Sequence, residues 1–233
     1  MLAYLKGRAA QINTQNPYES RAFMPDEGTD NALTQYINVY PKTIVNKVSS
    51  PDVGMSWSLN PYQGCEHGCI YCYARNSHNY WGYSAGLDFE SKILIKKNAP
   101  ELLLKKLKSP SWKAECIAIS GNTDCYQPIE RKEAITRRLL EIFAKHRHPV
   151  GIITKNSLVL RDINILKDLS KDNLVQVSLS ITSLDEELRR VMEPRTASVA
   201  KRLETVEKLS EAGIPVHVMI APIIPGLNDH EIL

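Results

Sequence analysis

Residues 150–181 read VGIITKNSLVLRDINILKDLSKDNLVQVSLSI, and this stretch decides the fold. It begins with an apolar run at residues 150–154 and closes with a second one at residues 174–181. Residues 162–169, between the two runs, are predicted to form a helix. Apolar strands joined by a helix are typical of a parallel βα unit in which both faces of the sheet are covered.

The same alternation continues on both sides of this unit. Gly213 follows the last predicted helix at the position where helices commonly end. We predict an α/β protein with a partial (βα) TIM-like barrel. Few residues follow the helix cap expected at residues 228–229, so we expect a barrel cut before its last strand. Further strands are predicted at residues 55–59, 116–120 and 214–220, and helices at residues 100–108, 129–146, 184–191 and 199–211.

The N-terminal part has a different character. Residues 1–50 are rich in Asn, Thr, Pro and Gln and contain one strand-like run, at residues 36–40. We therefore predict two regions, an irregular N-terminal arm over residues 1–50 and the barrel over residues 51–233.

Composition narrows the class of protein. The chain of 233 residues is 43% hydrophobic and 24% charged, which excludes a disordered, collagen-like or coiled-coil chain. No stretch approaches the roughly 18 apolar residues that span a bilayer, and the N-terminus lacks the apolar core of a signal peptide. We therefore expect a cytoplasmic protein without a membrane partner. A net charge of +3 permits a polyanionic partner without requiring one.

Residues 60–75, NPYQGCEHGCIYCYAR, carry the chemistry. Three cysteines follow the spacing Cys65-x3-Cys69-x2-Cys72, and thiolates are the soft ligands of iron–sulfur clusters and of zinc. Glycines at positions 64 and 68 let the short loop curl so that the sulfur atoms converge. Three thiolates leave one iron of a cubane cluster without a protein ligand, which is the open position that a reactive metal needs.

Two other interpretations of the cysteines stay open at this point. In one, they form a zinc site in which His67 or His78 is the fourth ligand, because Cys-x2-Cys is common in zinc sites. In the other, they are unliganded structural thiols.

The cysteine spacing, with the aromatic Tyr71 before the last cysteine and a βα series after the loop, resembles the radical S-adenosylmethionine (SAM) superfamily. The resemblance covers about residues 51–233 and makes the predicted fold a partial barrel of the radical SAM type. Three further stretches resemble its spore photoproduct lyase-like branch, often labelled "DNA repair photolyase". They are TDCYQPIE at residues 123–130, EPRT at residues 193–196 and APIIPGLND at residues 221–229.

The resemblance implies a lyase-like radical SAM enzyme with two cofactors, a [4Fe–4S] cluster and SAM. Cys65, Cys69 and Cys72 would be the cluster ligands, and Tyr71 would lie against the adenine. In such enzymes SAM is cleaved reductively to a 5′-deoxyadenosyl radical, which abstracts hydrogen from the substrate. The substrate is unidentified, with nucleic acid among the classes to consider. An external electron donor such as flavodoxin or ferredoxin is implied as well.

The resemblance predicts that five residues on or after the second, third and fourth strands contact SAM. Thr123 and Asp124 follow the second strand, where the superfamily usually has a Gly-Gly-Glu-like stretch, and would accept from the methionine ammonium. Lys155 ends the third strand and would pair with the SAM carboxylate; a solvated lysine is the alternative. Ser178 and Ser180 alternate on the fourth strand and share one face, where they would bind the ribose or carboxylate or act as small fillers.

Three residues complete the predicted site. Arg195 would clamp a carboxylate or phosphate, or form a salt bridge to Glu193 or a nearby acid. Ala221 leaves the fifth strand, which in the superfamily packs along the adenine. Cys125, expected at the opening of the site, would return a hydrogen atom to a substrate radical or act as a filler. The spore lyase carries its hydrogen-donor cysteine at the position of Gly121, which argues against thymine-dimer repair by the same mechanism.

Two rival functions are kept. One is a SAM-independent iron–sulfur redox or sensor protein, which needs no hydroxyl-lined barrel opening. The other is a zinc-stapled nucleic-acid-binding module, which zinc in anaerobically prepared protein would favour.

Overall fold

A computed structural model describes residues 5–18, 33–50 and 53–232. Within these ranges no helix is both long enough and apolar enough to cross a membrane. The strands are β1 (Gln35–Val39), β2 (Val45–Lys47), β3 (Trp57–Leu59), β4 (Tyr62–Gln63), β5 (Lys92–Lys96), β6 (Ile117–Ile119), β7 (Val150–Thr154), β8 (Val175–Ser180) and β9 (Val216–Met219). The helices are α1 (Leu87–Ser91), α2 (Ala99–Leu107), α3 (Glu130–Glu133), α4 (Ile135–Lys145), α5 (Ile163–Ser170), α6 (Glu186–Met192) and α7 (Val199–Glu211).

A six-stranded sheet in the order β2-β3-β6-β7-β8-β9 forms the centre of the fold. In this sheet β3, β6, β7, β8 and β9 run parallel to one another, and β2 pairs antiparallel with β3 at one edge. Helices connect the parallel strands, as the alternating pattern predicts. In the part of the chain that the structure describes, the sheet does not close into a full barrel. The predicted fold class, an α/β partial barrel, is confirmed.

The region assigned to an irregular arm contributes strands to two sheets. β1 pairs in parallel with β5 in a separate three-stranded sheet, order β1-β5-β4, and β2 joins the central sheet. Its first described residues, 5–18, pack on α1: the backbone N–H groups of Ala9 and Ala10 donate to the buried carboxylate of Glu90 at 3.1 and 2.9 Å. A boundary between two regions at residue 50 stays a prediction.

The single helix predicted over residues 129–146 is two helices. Ala134 has φ of 48°, in the left-handed region, and separates α3 from α4. The buried carboxylate of Glu130 accepts from the backbone N–H of Thr136 at 3.0 Å, so it satisfies a donor that the first turn of α4 leaves free. The break brings the apolar side of α4 against the sheet, where Leu139, Leu140 and Phe143 are fully buried.

Candidate cofactor site at the carboxyl end of the parallel strands

The three cysteines of residues 60–75 lie in the segment between β4 and a 3-10 helix, Tyr73–Trp81. We call residues 65–72 the Cys loop. All three are free thiols; Cys65 and Cys69 are buried and Cys72 is half-buried. The backbone N–H of Cys72 donates to the carbonyl of Cys69 at 3.3 Å, and that of Cys65 to the carbonyl of Phe89 at 2.8 Å.

The electrostatics of these thiols favour a bound cation. Burial raises the pKa of Cys65 well above its ordinary value, and the neighbouring Asp124 and the other two sulfurs raise it further. Burial, followed by the charge of Glu193, raises the pKa of Cys69 to about 12. Thiols in such surroundings become thiolates when a positive metal centre compensates the charge, so the donor set fits an iron–sulfur cluster.

Two glycines give the Cys loop its shape. Gly64 has φ of 78° and Gly68 has φ of 67°, values that glycine adopts without steric cost. A Cβ at Gly64 would lie 2.8 Å from the carbonyl oxygen of Lys92, and a Cβ at Gly68 would lie 2.8 Å from a carboxylate oxygen of Glu90. The loop therefore packs too closely for any larger residue at either position.

Among the described residues, no group of three His, Cys, Asp or Glu side chains is placed to hold a metal ion. This holds for the Cys loop as well, so the choice between a [4Fe–4S] cluster and a zinc ion stays a prediction. Both histidines considered as a fourth zinc ligand have other contacts: His67, which is part of the Cys loop, lies 3.3 Å from Asp124, and His78 packs edge-on against Phe89.

Asp124 lies beneath the Cys loop as the centre of a polar cluster. Its carboxylate accepts from the hydroxyl of Thr154 at 2.8 Å and from the backbone N–H groups of Lys155 and Tyr126 at 2.7 and 2.8 Å. Burial alone would raise the pKa of Asp124, but the adjacent His67 and the hydrogen bonds hold it below its ordinary value. The carboxylate is thus charged and anchored, and its predicted contact with the SAM ammonium stays a prediction.

Thr123 is buried beside Asp124 and is tied to the strand before the Cys loop. Its hydroxyl donates to the carbonyl of Tyr62 at 2.9 Å, and its backbone N–H lies 3.3 Å from the side-chain oxygen of Asn60. Asn60 is a residue that the sequence reasoning missed. The predicted contact of Thr123 with SAM is untested by this geometry.

Tyr71 and Lys155, which are far apart in sequence, come together at the Cys loop. The ammonium of Lys155 lies 5.8 Å from the centre of the Tyr71 ring and 3.9 Å from a carboxylate oxygen of Glu193. The Tyr71 hydroxyl donates to the same carboxylate, and burial is the largest cause that raises the pKa of this phenol. Lys155 is mostly buried beside the Cys loop and is not a solvated lysine at a strand end. Its predicted contact with SAM stays a prediction.

The remaining predicted residues lie along the last strands. Ser178 and Ser180 alternate on β8 opposite His217 and Met219 of β9, with Ser178 half-buried and Ser180 buried. Arg195 forms a salt bridge, which was the alternative to a ligand contact. Its partner is a nearby acid, Glu66, at 3.6 Å, and not Glu193. Ala221 follows β9, and its carbonyl accepts from the hydroxyl of Thr182 at 3.1 Å.

The predicted place of Cys125 is wrong. Its side chain is fully buried in the main hydrophobic core, not at the opening of the sheet. The reason is a tight bend after β6: Ser120 adopts φ of 78°, and its hydroxyl accepts from the backbone N–H of Cys125 at 2.7 Å. The thiol is therefore placed as a filler of the main core, which was the alternative for it.

Arg202 is a residue that the sequence reasoning did not single out, and Glu193 was named there only as a possible partner of Arg195. They form a fully buried ion pair with 2.5 Å between the guanidinium and the carboxylate. A signal was present: Arg202 stands on α7 with Val199, Thr205 and Leu209, at the spacing of the buried face of a helix. An arginine at such a position requires a buried acidic partner.

His78 gives a pH-dependent prediction. The imidazole is fully buried, and burial lowers its pKa from 6.5 to about 4. The folded protein then binds fewer protons than the unfolded chain between these values, so stability is complete above about pH 6.5 and falls as the pH approaches 4. Between pH 6.5 and 4 the buried imidazole should cost the protein roughly 3 kcal/mol of its free energy of unfolding, and we expect His78→Leu to abolish this loss. Urea unfolding of the variant at several pH values measures it, with the exposed His230→Gln as control; equal pH slopes would contradict the assignment.

An open parallel βα sheet with three free cysteines at its carboxyl end defines the class of protein. The chain belongs to the radical SAM superfamily, whose family model matches residues 59–233. The typical cofactors of this superfamily are a [4Fe–4S] cluster and SAM.

The chain is also similar to individual proteins, two of them uncharacterized and one named as a radical SAM enzyme. An uncharacterized protein of Methanocaldococcus jannaschii is 33% identical over 201 residues, which cover 86% of this chain and 72% of that protein. An uncharacterized protein of Mycobacterium tuberculosis is 34% identical over 189 residues, 81% of this chain and 56% of that protein. A radical SAM Nalpha-GlyT isomerase of Pseudomonas phage M6 is 26% identical over 173 residues, covering 73% of this chain and 34% of the isomerase.

Among solved structures, the fold is similar to that of spore photoproduct lyase. The lyase complexed with dinucleoside spore photoproduct has a TM-score of 0.62 and 18% identity, covering 84% of this chain and 53% of the lyase. A variant of the lyase with bound AdoMet (SAM) and the same dinucleoside has a TM-score of 0.62 and 17% identity, covering 83% and 53%. The chain thus spans about half the length of the lyase.

Proposed function

We propose that this protein is a radical SAM enzyme in which Cys65, Cys69 and Cys72 hold a [4Fe–4S] cluster. The observation that carries the proposal is the set of three free thiols, gathered in one glycine-shaped loop at the carboxyl end of a parallel βα sheet. When bound there, the cluster would reduce SAM and release a 5′-deoxyadenosyl radical that abstracts hydrogen from the substrate.

The residues of the chain would bind and shield these groups. Lys155 offers a cation for the SAM carboxylate next to the Cys loop, and Tyr71 offers an aromatic ring at the same place. Asp124 is anchored and negatively charged, which suits an ammonium. Ser178 and Ser180 present hydroxyls on the side of β8 that they share.

The first substrate class to test is nucleic acid, and the first electron donors are flavodoxin and ferredoxin. Support for nucleic acid comes from the similar fold of the spore photoproduct lyase structures, which contain a dinucleoside spore photoproduct. A donor is needed because a cluster that reduces SAM must first be reduced by one electron itself.

Anaerobic reconstitution with iron and sulfide, followed by reduction with dithionite in the presence of SAM, tests the proposal. We expect 5′-deoxyadenosine and methionine as products, detected by chromatography and mass spectrometry. A reducible iron–sulfur protein that leaves SAM intact would overturn the enzyme assignment and favour an electron carrier or sensor. Zinc without iron would favour the nucleic-acid-binding module.

A further inference from the structure

Glu193 is a buried charge that contacts the Cys loop, the segment after β8 and helix α7. Its side chain is almost completely buried, and both carboxylate oxygens have partners. One oxygen accepts from the hydroxyl of Tyr71 and lies 2.8 Å from the hydroxyl of Thr182; the other lies 2.5 Å from the guanidinium of Arg202. Tyr71 belongs to the Cys loop, so this carboxylate connects the predicted cluster ligands to the rest of the fold.

The backbone around Glu193 contacts the same loop on both sides. The carbonyl of Met192 accepts from the N–H of Ile70 at 3.0 Å, and the N–H of Arg195 donates to the carbonyl of His67 at 3.3 Å. A Cβ at Gly68 would lie 3.5 Å from the ring of Pro194. Residues 192–195 therefore follow the Cys loop over most of its length.

The other partners of Glu193 lead to the carboxyl ends of the parallel strands. Arg202 also donates to the carbonyl of Ser180, the last residue of β8, at 3.0 Å. Thr182 lies beyond β8, and its hydroxyl is 3.1 Å from the carbonyl of Ala221, which follows β9. Through these contacts the position of the loop is set by two strands that the sequence separates from it by more than 100 residues.

The charge of Glu193 also reaches the thiols. Burial would raise the pKa of Glu193, but the adjacent Arg202 and Lys155 hold it below its ordinary value, so the carboxylate is ionised near neutral pH. Its carboxylate accepts from the hydroxyl of Tyr71, the residue before Cys72, so the charge lies beside the Cys loop. An anion at this place stabilises the more oxidised, more positive state of a neighbouring metal centre.

We propose that Glu193 is a positioning residue for the cluster: its carboxylate fixes Tyr71, and with it the turn between Cys69 and Cys72, to the ends of β8 and β9. The inference rests on the proposed function in one respect only, the identity of the group that the loop holds.

Alkylation of the thiols with iodoacetamide, before any iron is added, tests the positioning role. We expect Glu193→Gln and Tyr71→Phe each to speed the labelling of Cys69 and Cys72 by about tenfold or more, because each removes a hydrogen bond to a charged group. The double variant should label no faster than the faster single variant, since both changes break the same contact. Glu204→Gln, in an exposed ion pair on α7, is the matched control.

Unchanged labelling of Cys69 and Cys72 in the single variants would overturn the proposal, and so would an additive double variant. Equal acceleration of the buried Cys125 would also overturn it, because that result indicates general destabilisation. If Glu193→Gln does not fold, Tyr71→Phe decides alone, since it leaves the pair of Glu193 with Arg202 intact.

A second measurement separates this role from simple packing. In reconstituted protein we expect a more positive midpoint potential for Glu193→Gln than for Tyr71→Phe, because only the former loses the anion. Equal potentials in the two variants would overturn the electrostatic part. A protein that binds no iron refutes the proposed function while the labelling result stands.

Discussion

Replacing any one of Cys65, Cys69 and Cys72 by alanine is expected to abolish reductive cleavage of SAM, with a loss of at least about a thousandfold. Each thiolate holds a different iron, so the remaining two cannot keep the cube in place next to the open iron. The measurement is 5′-deoxyadenosine formation under anaerobic conditions with dithionite, together with the iron content of each variant.

Cys125→Ala and Cys116→Ala are the matched controls. Cys125 is buried in the main core, and Cys116 is exposed just before β6. Neither is a predicted cluster ligand. Both variants should keep the iron content and the SAM cleavage of the parent protein. If the variant lacking all three loop cysteines still cleaved SAM, the ligand assignment would be wrong.

Arg202→Leu is expected to lower the free energy of unfolding by about 3–5 kcal/mol, because it leaves the carboxylate of Glu193 buried without its cation. Domains of this kind are stable by only about 5–15 kcal/mol in total, so the loss should be visible as a large fall in the urea midpoint. The site should open at the same time, since Arg202 also binds the carbonyl of Ser180.

Lys208→Leu is the control for this prediction. Lys208 lies on the same helix and pairs with Glu204 at 2.5 Å, but the pair is exposed and should contribute less than about 1 kcal/mol. Adding Glu193→Gln to Arg202→Leu should recover part of the lost stability, because no buried charge is then left unpaired. An Arg202→Leu variant as stable as the parent would refute the role of the pair.

Local patterns predict the elements of the fold, whereas contacts distant in sequence decide how they meet. Strand β7 and helix α7 begin and end where the apolar periodicity places them, because a buried strand and an amphipathic helix each carry their own pattern. The pairing of β1 with β5 is not predictable in that way, since it joins segments more than 50 residues apart. The break at Ala134 likewise depends on Glu130, whose carboxylate caps α4.

The candidate site also combines features that local sequence patterns predict with contacts between distant segments that they do not predict. The cysteine spacing is a local signal that places the three thiols in one loop, and their joint binding of a cluster stays a prediction. The partners of Tyr71 and Asp124 are not local, because Glu193 and His67 reach them from distant segments. The misplacement of Cys125 has a backbone cause: the left-handed bend at Ser120 turns the next residues into the core, and no side-chain pattern reveals such a bend in advance.

The electron paramagnetic resonance spectrum of the reduced protein, recorded before and after SAM is added, tests the central claim most directly. We predict the signal of a reduced [4Fe–4S] cluster in protein that holds about four iron ions and about four sulfides per chain, and a changed signal once SAM occupies the open iron. Anaerobically prepared protein that is colourless and free of iron, or a cluster signal that SAM leaves unchanged, would contradict the account.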